Sequence, residues 1–465
     1  MVFPSYEFAF FFPMVLALSW LLMPRPRLWK PSILAASYVF YSAASPGYAL
    51  LLAGVTLANQ LGAVLVSRSS DEGARRRIMA ATVAVDLGVL GLFKYYGFFV
   101  GEIGRFLDSL GLGMPLPLLT LALPIGLSFI TFQAISYVVD VKRGLLEPAT
   151  TIDFALYLSF FPHVVAGPIV RAREFIPQLA KPRDPRDVAV GAGVVLIAIG
   201  LVKKVAIADY LAREVVDPVF GVPEAYAAPD VALAAYAYAA QIYCDFSGYT
   251  DIAIGVALLL GFVFPQNFNS PYRALSFRDF WRRWHMTLSR FLRDFLYIPL
   301  GGNRGGKLRT YRNLMITMIL GGLWHGAAWG FILWGALHGA CLMVEHVLRD
   351  REVKSPPAVI RWAIVFHLVV LGWILFRAEN LELAGALISR LTVAGDATLW
   401  APATVAAIAA VIGFQLLPPD PLDRLRVRFA ALPAPALGLG LAVVVATVGA
   451  TVPSQGVPPF IYFQF

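Results

Sequence analysis

Long apolar runs constrain this chain more than any other feature. Residues 8–23, 47–66, 119–139, 188–208, 435–452 and much of 231–264 are predominantly apolar. At about 1.5 Å of rise per residue, roughly 18–20 such residues cross a hydrocarbon core of about 30 Å. Lipid offers the backbone no hydrogen-bond partner, so an open-ended segment crosses it only as a helix. Composition agrees, with 58% hydrophobic and 14% charged residues against about 45–50% and about 25% in soluble domains. Mean hydropathy is +0.70. The expectation is an all-α, polytopic transmembrane protein with roughly 11–12 spans, forming a single domain over residues 1–465.

The net charge of +9 raises the question of an anionic partner, and its placement answers it. Cations cluster in short loops: Arg25, Arg27 and Lys30, then 75–77, Lys142 and Arg143, 171–186, 273–312, 349–361 and 424–428. The connections 101–115, 212–230 and 378–397 carry few. This alternation follows the positive-inside rule and places both termini outside. Lys203 and Lys204 depart from it, because they fall inside an apolar block. Segment 151–170 lies between two basic loops and contains Pro162, Gly167 and Pro168, so it is expected to be re-entrant or interfacial. No basic segment forms a separate domain, which argues against nucleic acid as a partner. Cys244 and Cys341 lie in apolar stretches and are read as buried thiols without disulfide or metal spacing. Residues 1–6 lack a basic leader, so no cleavable signal is expected. No internal repeat is visible, which weighs against the many transporters built from repeated halves.

Residues 241–345 differ from the rest. They read QIYCDFSGYTDIAIG, then PQNFNSPYRALSFRDFWRRWHMTLSRFLRDFLYIPLGGN, then GGLWHGAAWGFILWGALHG. Polar groups at membrane depth are costly and point to function. Four of the six histidines, His285, His325, His338 and His346, lie here or at the border. Placed on one helix, Arg278, Arg282, His285, Ser289 and Arg293 share a face. Phe277, Trp281, Trp284, Leu288, Leu292 and Phe295 form an apolar face beside it, and Arg283, Arg290 and Asp294 widen the charged side. That pattern predicts an amphipathic interfacial helix. Its arginines either anchor anionic lipid or hold the phosphates of a bulky acyl donor, whereas lipid anchoring needs no imidazole at His285.

Gly322, Gly326 and Gly330 recur every four residues, and Gly335 and Gly339 repeat the interval. Small residues at this spacing allow close helix approach in lipid. His325 adjoins this stripe and is flanked in sequence by Trp324 and Trp329. Two readings are open: a buried histidine satisfied by a backbone carbonyl, or a neutral imidazole in an apolar tunnel, able to accept a hydroxyl proton. Metal catalysis is not expected, since HxxxH, HExxH and clustered Cys/His ligands are missing. A serine hydrolase is not expected either, for want of a GxSxG.

The runs DFWRRWHMTLSRFLRDFLYIPLGGN and GLWHGAAWGFILWGALHG resemble the membrane-bound O-acyltransferase superfamily. Within it the chain is most similar to the alginate O-acetyltransferase membrane-subunit family. LPIGLSFITFQAISYVVDVKRG at 123–144, FFPHVVAGPIVRAREFIPQL at 160–179 and the terminal FIYFQF extend the resemblance over essentially the whole chain. The resemblance implies helices ringed about a thin, tunnelled centre in the bacterial cytoplasmic (inner) membrane. It assigns the intramembrane catalytic histidine to His325 and the second motif histidine to His285. It implies no bound cofactor, with acetyl-CoA or a carrier-bound acetyl thioester as donor substrate. The acceptor would be an extracytoplasmic polysaccharide such as alginate, cellulose or peptidoglycan, acetylated directly or through an exported or membrane-anchored SGNH-hydrolase-like partner. A more distant branch moves D-alanine toward teichoic acid. On this reading His325 is the general base, Trp324 and Asn267 are candidate oxyanion donors, and Arg282, Arg293 and Trp329 are candidate substrate contacts. Asp245, Ser247 and Asp251 are expected to hold polar helix junctions, and His163 and His367 to be structural, while His338 and His346 are given no chemistry. The alternatives are a transporter or export component for a polysaccharide or its precursor, and a structural scaffold; in either, His325 would be dispensable.

Overall fold

The computed structural model describes residues 1, 3–113, 121–165, 167–451 and 460–461. The ends of two expected apolar blocks (119–120 and 452), part of the 101–115 loop and residues 462–465 of the terminal motif lie outside the described residues. Among those described, the chain is helical and contains no strand, which is the all-α membrane fold expected from the apolar runs. Among the described residues, six helices have the length and apolarity to cross a membrane: Pro46–Arg68, Glu72–Ser109, Val190–Gly221, Ala228–Leu259, Trp329–Asp350 and Ala358–Arg377. The pair Asp423–Ala430 and Ala434–Ala450, bent by 114°, would make a seventh. The larger count of 11–12 expected from sequence differs because further helices are short or polar over part of their length. Tyr6–Leu22 has 17 residues and Leu127–Lys142 has 16, while Lys307–His325 begins with Lys307, Arg309 and Arg312.

The chain divides into two compact units. The first comprises Met1–Val190 and Val256–Pro265. Segment 151–170 falls here, and among its described residues no helix is long enough to span. It forms the nine-residue helix Thr151–Ser159 and the four-residue Phe161–Val164, both with mostly buried side chains. Thr150 caps the first, its hydroxyl accepting from Asp153 N at 3.2 Å. His163 Nε2–H donates to the Tyr157 carbonyl at 2.8 Å, and the ring packs among Phe160, Phe175 and Phe264.

The second unit comprises Gly191–Gly255 and Gln266–Phe465. Two glycine contacts set its helix spacing. A Cβ on Gly200 would lie 2.5 Å from the Gly248 carbonyl, and one on Gly255 would lie 2.6 Å from the Gly193 carbonyl. Beyond Gly200 the helix loosens into a π turn at Val202–Ala208, which carries the two lysines that broke the charge pattern. Lys204 Nζ is 2.7 Å from Asp209 and 2.6 Å from Asp245, and Lys203 Nζ is 2.7 Å from Asp251. Two cations are thereby neutralised inside an apolar segment.

The helices Lys307–His325 and Trp329–Asp350 form a tight hairpin. A Cβ on Gly322 would collide with the Phe331 carbonyl, and one on Gly335 with the Met318 carbonyl. Backbone cannot yield as a flexible side chain can. Gly335→Ala is therefore expected to lower stability by about 1–3 kcal/mol, read as a drop in melting temperature of the detergent-solubilised protein. Gly413→Ala, where a Cβ meets nothing within 4 Å, should melt like wild type.

Candidate functional site

The structure corrects the single amphipathic helix expected through 277–295. Helix Phe277–Arg283 stops, and a second helix, Met286–Leu292, begins after His285. The break has a local cause. Asn269 N donates to the Arg283 carbonyl at 2.9 Å, and Met286 N donates to the Asn267 carbonyl at 2.9 Å. Backbone groups that would have continued the helical ladder are held by the preceding loop instead. His285 takes up the reversal in the left-handed region, with φ 41°. A non-glycine residue there costs of order 1–3 kcal/mol, and such strain clusters at functional sites. The imidazole consequently leaves the arginine face and is fully buried.

Asn267 fixes the state of that imidazole. Its Oδ1 accepts from Thr287 N at 3.2 Å and from the Thr287 hydroxyl at 2.9 Å. A backbone N–H only donates, so this atom is the amide oxygen. His285 Nδ1, 3.2 Å from the same oxygen, must then carry the proton and donate, leaving Nε2 as the ring's acceptor. Burial pushes the His285 imidazole down from its usual range to about 3, so it is neutral at physiological pH. The Asn267 amide nitrogen has no hydrogen-bond partner among the described residues and remains available as a donor. Asn267→Leu orphans Thr287 N–H and releases the His285 tautomer. Expected consequences are a loss of about 1–3 kcal/mol in stability and of at least about tenfold in transfer activity, checked by melting and product assay at matched protein levels.

His325 ends the first arm of the glycine hairpin and is 3% exposed. Rings enclose it on several sides: Trp324 at 5.0 Å, Phe376 at 5.1 Å and Trp334 at 5.2 Å between centroids, each edge-on. Trp324 also meets His285 edge-on at 6.1 Å. Two buried histidines forty positions apart in the chain thus flank one indole. A neutral imidazole in such a setting can take a proton from a hydroxyl, and the neighbouring amide and indole N–H groups are of the kind that stabilise a developing oxyanion.

Of the residues singled out in the sequence, the structure brings together His285, His325, Trp324 and Asn267. Arg282 and Arg293 are exposed, and Arg293 Nε is held by Asp294 at 2.6 Å; the break at His285 separates them from the buried imidazole. Trp329 is 48% exposed at the start of its helix. Sequence reasoning missed Trp334, Phe376 and Phe246, which packs edge-on against His285 at 4.7 Å. Trp334 lies within the quoted GFILWGALHG run, one helical face from the hairpin turn, and was findable. Phe246 and Phe376 come from helices Ala228–Leu259 and Ala358–Arg377 and carry no local signal.

A family model described as MBOAT, the membrane-bound O-acyltransferase family, matches residues 125–383. A probable alginate O-acetylase of Pseudomonas aeruginosa is 46% identical over 391 residues, covering 83% of this chain and 73% of that protein. A peptidoglycan O-acetyltransferase of Helicobacter pylori is 37% identical over 391 residues, covering 77% of this chain and 72% of the relative. A teichoic acid D-alanyltransferase of Streptococcus thermophilus is 28% identical over 281 residues, covering 54% and 68%. These similarities decide between enzyme and export component in favour of an acyltransferase.

Proposed function

Because the chain belongs to the membrane-bound O-acyltransferase family, we propose that it moves an acetyl group from a cytoplasmic thioester across the bacterial inner membrane for O-acetylation of an extracytoplasmic polysaccharide. The chain is a multi-pass membrane acyltransferase, and the finer steps follow from its site. The observation that carries them is the pair of buried histidines flanking Trp324.

In this reading the acceptor hydroxyl oxygen attacks the thioester carbonyl carbon. His325 takes the hydroxyl proton as the C–O bond forms; the C–S bond then breaks, and the proton passes to the departing thiolate. A positioned general base contributes about 10²–10⁴ in rate, or roughly 3–5 kcal/mol. Holding both substrates in line contributes as much again. The Asn267 amide N–H and the Trp324 indole N–H are the donors proposed for the oxyanion, and His285, held in its Nδ1–H tautomer by Asn267, presents Nε2 as an acceptor beside them. Arg282 and Arg293, exposed on the flanking short helices, are suited to the phosphates of acetyl-CoA or of a carrier's prosthetic arm. Residues 1–465 are taken as one functional domain. The immediate acceptor is either the polysaccharide itself or an exported or membrane-anchored SGNH-hydrolase-like partner that completes the transfer.

The test is base-releasable acetate in the envelope polysaccharide of the source cell, comparing the wild-type strain, a deletion and the complemented deletion. Acetate that falls on deletion and returns on complementation supports the reading and names the polymer. Acetate unchanged by deletion would exclude acetyl as the group moved.

A further inference from the structure

His338 lies on the Trp329–Asp350 helix and is fully buried, yet neither ring nitrogen has a hydrogen-bond partner among the described residues. Its surroundings are rings: Trp334 at 4.7 Å, Trp281 at 5.3 Å, Phe277 at 5.6 Å and Phe280 at 5.9 Å between centroids. The indole nitrogens of Trp281 and Trp334 are buried and likewise without partners there. A Cβ placed on Gly372 would lie 3.4 Å from His338 Nε2 and 3.4 Å from Trp334 Cδ1. The missing side chain of Gly372 therefore leaves methyl-sized room beside the imidazole.

A neutral imidazole offers one N–H and one lone pair, and an indole offers only its N–H. The local inventory is three donors and one acceptor, clustered and unused. A buried polar group left in that condition is costly, and buried polar groups in native proteins are normally met by protein or by water. Phenylalanine would fill the same aromatic cage without that penalty. An imidazole kept where packing favours a hydrocarbon ring is the kind of local conflict that marks a functional position. Trp334 connects it to the chemistry, since the same indole meets His338 at 4.7 Å and His325 at 5.2 Å.

We infer that His338, with the indole N–H groups of Trp281 and Trp334, forms a hydrogen-bonding site for a neutral oxygen-bearing group one ring away from His325. The occupant is a water molecule or a carbonyl of the bound acyl donor. His338 is then a positioning residue: its occupant sets the place of the Trp334 indole, and Trp334 sets the His325 imidazole. This inference rests on the acyltransferase reading, so the experiment separates the two.

Full-length wild type, His325→Ala, His338→Phe and His338→Gln are compared in two assays. One is the melting temperature in detergent, and the other is polysaccharide acetate in the complemented deletion strain at matched membrane levels. His338→Phe is expected to lower acetate at least about tenfold, and to melt higher than wild type by a few degrees where the site stands empty without donor, or lower where a water fills it. His338→Gln, which restores a donor and an acceptor, should return acetate to within about threefold of wild type. Overproducing the donor distinguishes the occupants: it rescues His338→Phe if a donor carbonyl is held there, and does not if a water is. A His338→Phe protein that acetylates normally overturns the inference, whichever way its melting temperature moves. So does an inactive His338→Gln. Acetate retained by His325→Ala overturns the acyltransferase mechanism itself, and this inference with it, whatever the melting temperatures show.

Discussion

On the proposed function, replacing His325 by alanine is expected to abolish polysaccharide acetylation while leaving the protein in the membrane at wild-type abundance. In the proposed mechanism His325 is the general base, a role worth about 10²–10⁴ in rate, and its imidazole is also the group around which Trp324, Trp334 and Phe376 close. His325→Gln is the sharper control: it keeps bulk and hydrogen bonding but cannot take a proton at neutral pH, so it should be as inactive as alanine. Acetate at wild-type level with either variant, at matched membrane abundance, would make His325 structural. Activity lost with alanine but kept with glutamine would show that His325 shapes the site without accepting the proton.

The largest expected effect on stability is at Lys204. Its ammonium is 2% exposed and bridges Asp209 and Asp245 at 2.7 and 2.6 Å. Lys204→Met leaves two carboxylates facing each other in an apolar segment. Removing one partner of a buried ion pair costs about 3–5 kcal/mol, because the remaining charge is uncompensated. The damage extends further: Asp245 Oδ2 also accepts Ile461 N–H at 2.9 Å, and Phe460 beside it packs on Tyr249 at 4.7 Å and Phe246 at 5.5 Å. Phe246 in turn supports His285. Lys204→Met should therefore lower both the melting temperature and the amount of folded protein, and lose acetylation with them. The double variant Lys204→Met/Asp209→Asn removes one orphaned carboxylate and should recover part of the loss. If the single variant melts like wild type, the cluster is not holding this unit together.

Particular residues show where legibility in the sequence stopped. The long apolar runs forced helices because their length matches a bilayer and lipid satisfies no backbone group. The glycine spacing around His325 was readable as a close helix contact because helical periodicity is local, and Gly322 and Gly335 do sit against opposing carbonyls. The same periodicity misread residues 277–295. An uninterrupted helix puts His285 among arginines, but the hydrogen bonds that break it come from Asn267 and Asn269, outside the window in which a 3.6-residue period operates. Lys203 and Lys204 looked anomalous for a similar reason: their counter-charges include Asp245 and Asp251 on another helix. The sequence by itself determined the membrane class, the helical fold, the close helix contact beside His325 and the motifs by which the family is recognised. Only the tertiary structure decided that His285 turns inward, that Asn267 sets its tautomer, and that Trp324, Trp334, Phe246 and Phe376 bring the two histidines into one buried site. Helix formation and lipid exposure are settled within a few turns of chain, whereas ring packing and the burial of an imidazole depend on which distant helices arrive beside it.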